Sequence, residues 1–126
     1  MNLNQVTVPS LDVAKSVSFY EKLGLQIIVK ALPHYARFVC PDGNTTFSIH
    51  QVKELPKGTG ISIYFECENL DEYVNELMKK GIQFIELPND KPWLWREARL
   101  KDMDENLLVL FYGGNNRLNP PWRIKN

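Results

Sequence analysis

No stretch of this 126-residue chain is apolar for long enough to span a membrane. The longest apolar run, Leu107 to Tyr112, falls far short of the roughly 20 residues a spanning helix needs. Net charge is zero, with 15 Lys and Arg against 15 Asp and Glu, so the positive footprint of a nucleic-acid binder is missing. The opening residues, Met1 to Gln5, have neither the basic nor the apolar segment of a secretory leader, and a cytoplasmic location is the expectation. Only Cys40 and Cys67 carry thiols. Both fall in predicted strands, where a reduced and buried state is expected rather than a disulfide. Disorder is not indicated either, because 44% hydrophobic and 24% charged residues are ordinary for a folded chain. A single domain over residues 1–126 is expected, large enough for a core without staples.

What is present is a repeat. Residues 5–30 and 62–87 align without gaps at a shift of 57, pairing Gly24 with Gly81, Val8 with Phe65, Val13 with Leu70 and Val17 with Val74. The same shift pairs Leu25 with Ile82 and Ile27 with Phe84. Asp42-Gly43-Asn44 and Asp104-Glu105-Asn106 each precede an apolar run. A lone strand–helix–strands unit leaves an apolar face open, so two copies must pack or extend each other's sheets. The predicted layout is a first module over about residues 3–52, a linker over 53–60 and a second module over about 61–112, with a tail from 113 to 126. Function is expected in a cleft between two curved sheets.

Within the first module, Val6 to Val8 read as a strand ended by Pro9. Asp12 is placed to cap a helix whose apolar positions are Val13, Val17, Tyr20 and Leu23, and Gly24 supplies its stop. Leu25 to Lys30 alternate as a strand with Leu25, Ile27 and Val29 on one side. Tyr35 to Cys40 and Thr45 to Gln51 form a hairpin about the turn Pro41 to Asn44. In the second module, Ile61 to Cys67 read as a strand. Asn69 caps a helix that buries Leu70, Tyr73, Val74, Leu77 and Met78, and Gly81 ends it. Ile82 to Leu87, Trp95 to Lys101 and Leu107 to Tyr112 are predicted strands, with Pro88 to Trp93 a loop. The tail is expected to be extended, with Trp122 docked.

Strand parity separates two faces. Val6, Val8, Ile63, Phe65, Phe47, Ile49, Leu108 and Leu110 make the helix-facing side, joined by Ala36, Phe38, Cys40, Ala98 and Leu100. The other side carries Gln5, Thr7, Tyr35, Arg37, Ser48, His50, Ser62, Tyr64, Glu66, Trp95, Glu97, Arg99 and Val109. Aromatic rings mixed with hydrogen-bonding groups suit a ligand surface better than a core. Trp93 and Trp95 flank Leu94 and would share a face in an extended strand, either against a flat ligand or as a wall for the tail or a partner chain. His50 is either a ligand-contacting imidazole or an exposed hairpin histidine. Glu97 either receives a ligand donor or pairs with Arg37, Arg96 or Arg99. The candidate ligand set is therefore Gln5, Tyr35, Arg37, His50, Ser62, Tyr64, Trp93, Trp95 and Glu97.

The stretch Gln5-Val-Thr-Val-Pro-Ser-Leu-Asp12, with Ser16, Phe19-Tyr20 and Leu23-Gly24-Leu25, resembles the first module of the vicinal oxygen chelate superfamily. That group includes glyoxalase I, extradiol dioxygenases and bleomycin-resistance proteins. Phe65, Asn69-Leu70-Asp71, Gly81, Pro92-Trp93, Arg96-Glu97 and Asp102-Met-Asp104-Glu-Asn106 extend the likeness, most of all to the bleomycin-resistance branch. The resemblance implies an α+β fold of two tandem βαβββ modules, with curved mixed sheets around a cleft, and a homodimer. It also implies a divalent-metal site at positions held here by Gln5, Ser48, Ser62 and Val109. Gln5 alone is a usable donor there, and a transition metal needs at least three. His50 and Glu66, two residues beyond Ser48 and Ser62, would have to reach about 6–7 Å further to rebuild such a site. No metal or other cofactor is expected. The resulting expectation is a metal-free protein that sequesters an aromatic drug-like or metabolite ligand, with a lyase or dioxygenase as the alternative. In a third reading, the tail fills the cleft.

Overall fold

Helix formation starts where the sequence supplies a cap. In the computed structural model, which describes residues 1–125, the Asp12 carboxylate accepts from the Lys15 amide at 3.2 Å and α1 runs over Val13–Leu23. Gly24 ends it with φ of 115°, a left-handed conformation open to glycine. Val13, Val17, Tyr20 and Leu23 are all buried, as the helical spacing predicts. The Tyr20 ring packs against Phe47 and Phe38 at centroid distances of 4.7 and 5.9 Å.

The chain divides into two compact units, residues 1–60 with 102–106, and residues 61–101 with the chain from 107 onward. The first holds β1 (Gln5–Ser10), α1, β2 (Gln26–Ala31), β3 (Tyr35–Val39) and β4 (Thr46–Gln51), in sheet order β1-β4-β3-β2. The second holds β5 (Ser62–Glu66), α2 (Leu70–Lys79), β6 (Glu86–Asp90), β7 (Arg96–Lys101) and β8 (Leu107–Tyr112), in order β5-β8-β7-β6. In each sheet the first strand pairs parallel to the last, and the other pairs are antiparallel. This is the predicted βαβββ architecture, twice.

Several predicted details fail for local reasons. Pro9 does not end the first strand, because β1 is an edge strand where a missing ladder donor is tolerated. The alternation through Leu25, Ile27 and Val29 holds in burial, although the pairing with β3 shifts register between Ile27, opposite Phe38, and Val29, opposite Arg37. Ile82 to Ile85 precede the strand instead of forming it, so β6 takes in Leu87 to Asp90, most of which the sequence pattern assigns to a loop. On α2, Leu70, Val74 and Leu77 are buried, but Tyr73 and Met78 are exposed. Asn69 occupies the N-cap without a side-chain capping bond. Cys40 and Cys67 form no disulfide and are half-buried rather than fully buried. The tail is not extended: Gly114–Asn116 form a 3₁₀ turn and Trp122 is 58% exposed.

Candidate functional site

Register assembles the open face of the first unit from three strands. Ser48 lies opposite Thr7 on β1 and Arg37 on β3, and Tyr35 lies opposite His50. The Gln5 amide nitrogen donates to the Ser48 hydroxyl at 2.7 Å, and the Ser48 and Tyr35 hydroxyls are 2.7 Å apart. Arg37 Nε donates to the Tyr35 hydroxyl at 2.8 Å, and its guanidinium lies 5.5 Å from the centre of the Tyr35 ring. Burial acts to raise the Tyr35 phenol, but bonds from Ser48 and Arg37, with the Arg37 charge, outweigh it and hold the pKa below the ordinary tyrosine value. Ser48 is fully buried, Tyr35 and Arg37 half-buried, and His50 and Gln5 exposed.

In the second unit the corresponding face is lined with aromatic rings. Tyr64, Val109 and Arg99 lie side by side across β5, β8 and β7, and Glu66, Phe111 and Glu97 form the next row. Trp95 stacks on Phe111 at 4.5 Å, and the exposed Tyr64 ring meets both edge-on at 6.0 and 5.6 Å. Trp93 and Trp95 do not share an extended strand, since Leu94 between them has φ of +68° and β7 begins only at Arg96. The turn instead swings the Trp93 indole back onto Glu97, donating Nε1–H to Oε2 at 2.7 Å. Arg99 donates to the other Glu97 oxygen at 3.3 Å. Glu97 is 0% exposed, a buried carboxylate held by an indole and a guanidinium. Ser62 is exposed at the far end of β5.

The family profile described as "Glyoxalase/Bleomycin resistance protein/Dioxygenase superfamily" matches residues 2–110. The chain belongs to this superfamily. Solved structures with the same fold include a superfamily member from Nocardioides, 20% identical, with TM-score 0.79 over 99% of this chain and 90% of that one. A bleomycin resistance determinant encoded on transposon Tn5 is 21% identical, with TM-score 0.74 over 90% of this chain and 98% of that one. A family enzyme from Burkholderia phytofirmans is 17% identical, with TM-score 0.75 over 90% of this chain and all of that one. Among curated proteins, none matches by sequence.

The four positions at which the superfamily resemblance implies a metal do not fit one. The Gln5 carbonyl oxygen accepts from the Thr46 hydroxyl and its nitrogen serves Ser48. Ser48 is engaged by Gln5 and Tyr35, beside the positive charge of Arg37. Val109 offers no donor atom, leaving the Ser62 hydroxyl. Glu66, which with His50 makes the displaced donor set, is occupied by the backbone amides of Gly113 and Gly114 at 2.9 and 3.1 Å. Among the described residues no group of three or more His, Cys, Asp or Glu is gathered as a metal site.

Sequence reasoning gives no role to one further cluster. Asp102 and Asp104, in the turn between β7 and β8, are buried within the first unit. Asp102 accepts from Tyr20 at 2.5 Å and from the Asn106 amide and side chain, while Asp104 accepts from Ser16 and the Leu11 amide. Burial first, and then the Asp102 charge, push the Tyr20 phenol far above its usual range, so it stays protonated and donates. The one signal in the sequence is a pair of aspartates closing a single hairpin. Their role is to fasten a loop.

Proposed function

We propose that this superfamily member is a metal-free binding protein that sequesters a flat, aromatic, drug-like or metabolite molecule against the open faces of its sheets. It acts as a cytoplasmic homodimer. The observation that carries the reading is the Tyr64–Trp95–Phe111 cluster, extended by an indole that Glu97 holds in place. Such rings give stacking area worth about 0.5–1.5 kcal/mol per pair beyond burial. Tyr64 and Trp93 supply exposed ring surface. Glu97 fixes Trp93, and polar groups for a ligand are offered by Gln5, Tyr35, Arg37 and His50 on the first unit and by Ser62 on the second. The resistance role named for the Tn5 protein, carried to this chain as a proposal, agrees with sequestration rather than turnover.

Titration with flat aromatic compounds, followed by tryptophan fluorescence, tests the reading. Saturable quenching that Trp95→Leu and Trp93→Leu weaken is expected. A flat response across aromatic antibiotics and metabolites contradicts it. Elemental analysis of protein purified without chelator bears on the alternative, a lyase or dioxygenase with a rearranged or absent metal site, which stoichiometric metal lost on Gln5→Ala or His50→Ala would favour.

A further inference from the structure

The hydrogen bonds on the first unit's open face leave one proton without a partner, and its position is informative. An amide nitrogen only donates, so Gln5 Nε2 gives a proton to Ser48 Oγ. The Val6 carbonyl, 3.2 Å from the same nitrogen, fixes that amide orientation, because a second carbonyl oxygen there would be repelled. Ser48 is fully buried, and its remaining hydroxyl partner is Tyr35. A buried hydroxyl proton left without an acceptor is unfavourable, so Ser48 donates to Tyr35 Oη. Arg37 Nε–H donates to that same oxygen. Tyr35 Oη therefore receives two donors, and its own proton turns outward.

The guanidinium completes the pattern. Arg37 is half-buried, its Nε is taken by Tyr35, and among the described residues it pairs with no carboxylate. Its terminal N–H groups and the outward Tyr35 O–H are both donors, on neighbouring positions of one face, beside a positive charge. We infer that Arg37 and Tyr35, set by the Gln5–Ser48 relay, form a binding site for the carboxylate of a small organic acid. Arginine suits a carboxylate because its planar fork matches the two oxygens. The inference rests on the reading of this face as a ligand surface and adds the charge class of the ligand. The depressed Tyr35 phenol agrees with two donors and a cation at its oxygen.

Benzoate and benzamide, equal in shape but not in charge, are the probes, read by amide NMR shifts of β3 and β4. Benzoate is expected to shift the Arg37 and Ser48 amides saturably, with benzamide giving no such response. Arg37→Met should weaken benzoate by about tenfold to a hundredfold, as for a lost charge-assisted bond. Tyr35→Phe, which removes the outward donor together with the oxygen that accepts from Ser48 and Arg37 Nε, should weaken it by about threefold to tenfold. Gln5→Glu places a negative charge on the relay and should abolish the response. Equal responses to both probes, or unchanged benzoate binding in Arg37→Met and Tyr35→Phe, would overturn the site while leaving aromatic binding intact. Silence of these amides to benzoate also overturns it, and the Trp93 and Trp95 indole signals then report separately whether neutral aromatics bind.

Discussion

Tyr35 and Glu97 show how single side chains on the open faces acquire their properties from neighbours. The Tyr35 phenolate is favoured by donors from Ser48 and Arg37, so one tyrosine should ionise below the ordinary value of 10.0 in an ultraviolet titration. Arg37→Met should move it back up, and an unchanged titration would contradict the contact. Because the folded-state pKa is depressed, the linked stabilisation is absent at neutral pH. It appears as pH rises through the folded pKa and is complete above the unfolded one. Glu97 is a different case, a buried carboxylate whose removal strands two donors. Glu97→Ala is expected to destabilise the chain by about 2 kcal/mol in denaturant titrations, since it removes the acceptor for Trp93 and for Arg99, whose part-exposed charge keeps Glu86 nearby. A cost under about 1 kcal/mol would mean the clamp is solvated.

Parity alone makes most of these residues legible in the sequence, because alternate side chains must share a face. It places Tyr35, Arg37 and Ser48 together and puts Tyr64, Glu97 and Val109 on one side. The contacts themselves are not legible. Which hydroxyl meets which amide depends on β1 pairing parallel to β4 in one particular register, a fact that no local pattern encodes. The Trp93–Glu97 bond escapes sequence reasoning because it depends on a left-handed Leu94 that propensity disfavours.

At the scale of elements, the loop Asp102–Asn106 is fastened to α1 by Tyr20 and Ser16. Asp102→Ala removes acceptors for Tyr20, Asn106 and the Asp104 amide, and should lower stability by about 3 kcal/mol. Tyr20→Phe should cost about 1–2 kcal/mol, losing one bond while keeping the ring packing. Thermal melts of the two variants check the order, and equal losses would point to packing instead. On α2, a bond from Arg96 holds the Asp71 carboxyl below its usual range, and the second Arg96 partner is Asp90 on β6. Glu86 is likewise lowered, first by Lys91 and then by Asn89. Both are depressed acids, so their contribution is present above the ordinary carboxylate range and lost as pH falls through the depressed values. The pairs are solvent-screened and individually small. Melting temperature should drop more steeply with acid in the wild type than in Arg96→Ala.

At the scale of the whole molecule, the duplication is legible in the sequence and its interruption is not. Gln5 and Ser62 open β1 and β5 57 residues apart, and Val13 and Leu70 open the helices at the same spacing. Tyr35 and Arg96, and then Thr46 and Leu107, open the later strand pairs 61 apart. Four extra residues therefore enter the second copy, and the gapless alignment misplaces β6 because Ile82 to Ile85 look as apolar as a strand. The repeat fixes the backbone plan and leaves the chemistry to the side chains on the open faces. Those side chains include an aromatic cluster and an arginine with no carboxylate partner among the described residues, while the positions at which the superfamily resemblance implies a metal offer one usable donor, Gln5.

A single titration bears on that conclusion directly: tryptophan fluorescence against 2-naphthoate, run in excess chelator. Saturable quenching, unaffected by the chelator and weakened by Trp95→Leu, is the expected result. Quenching that never saturates, or that disappears when metal is stripped, would contradict metal-free binding.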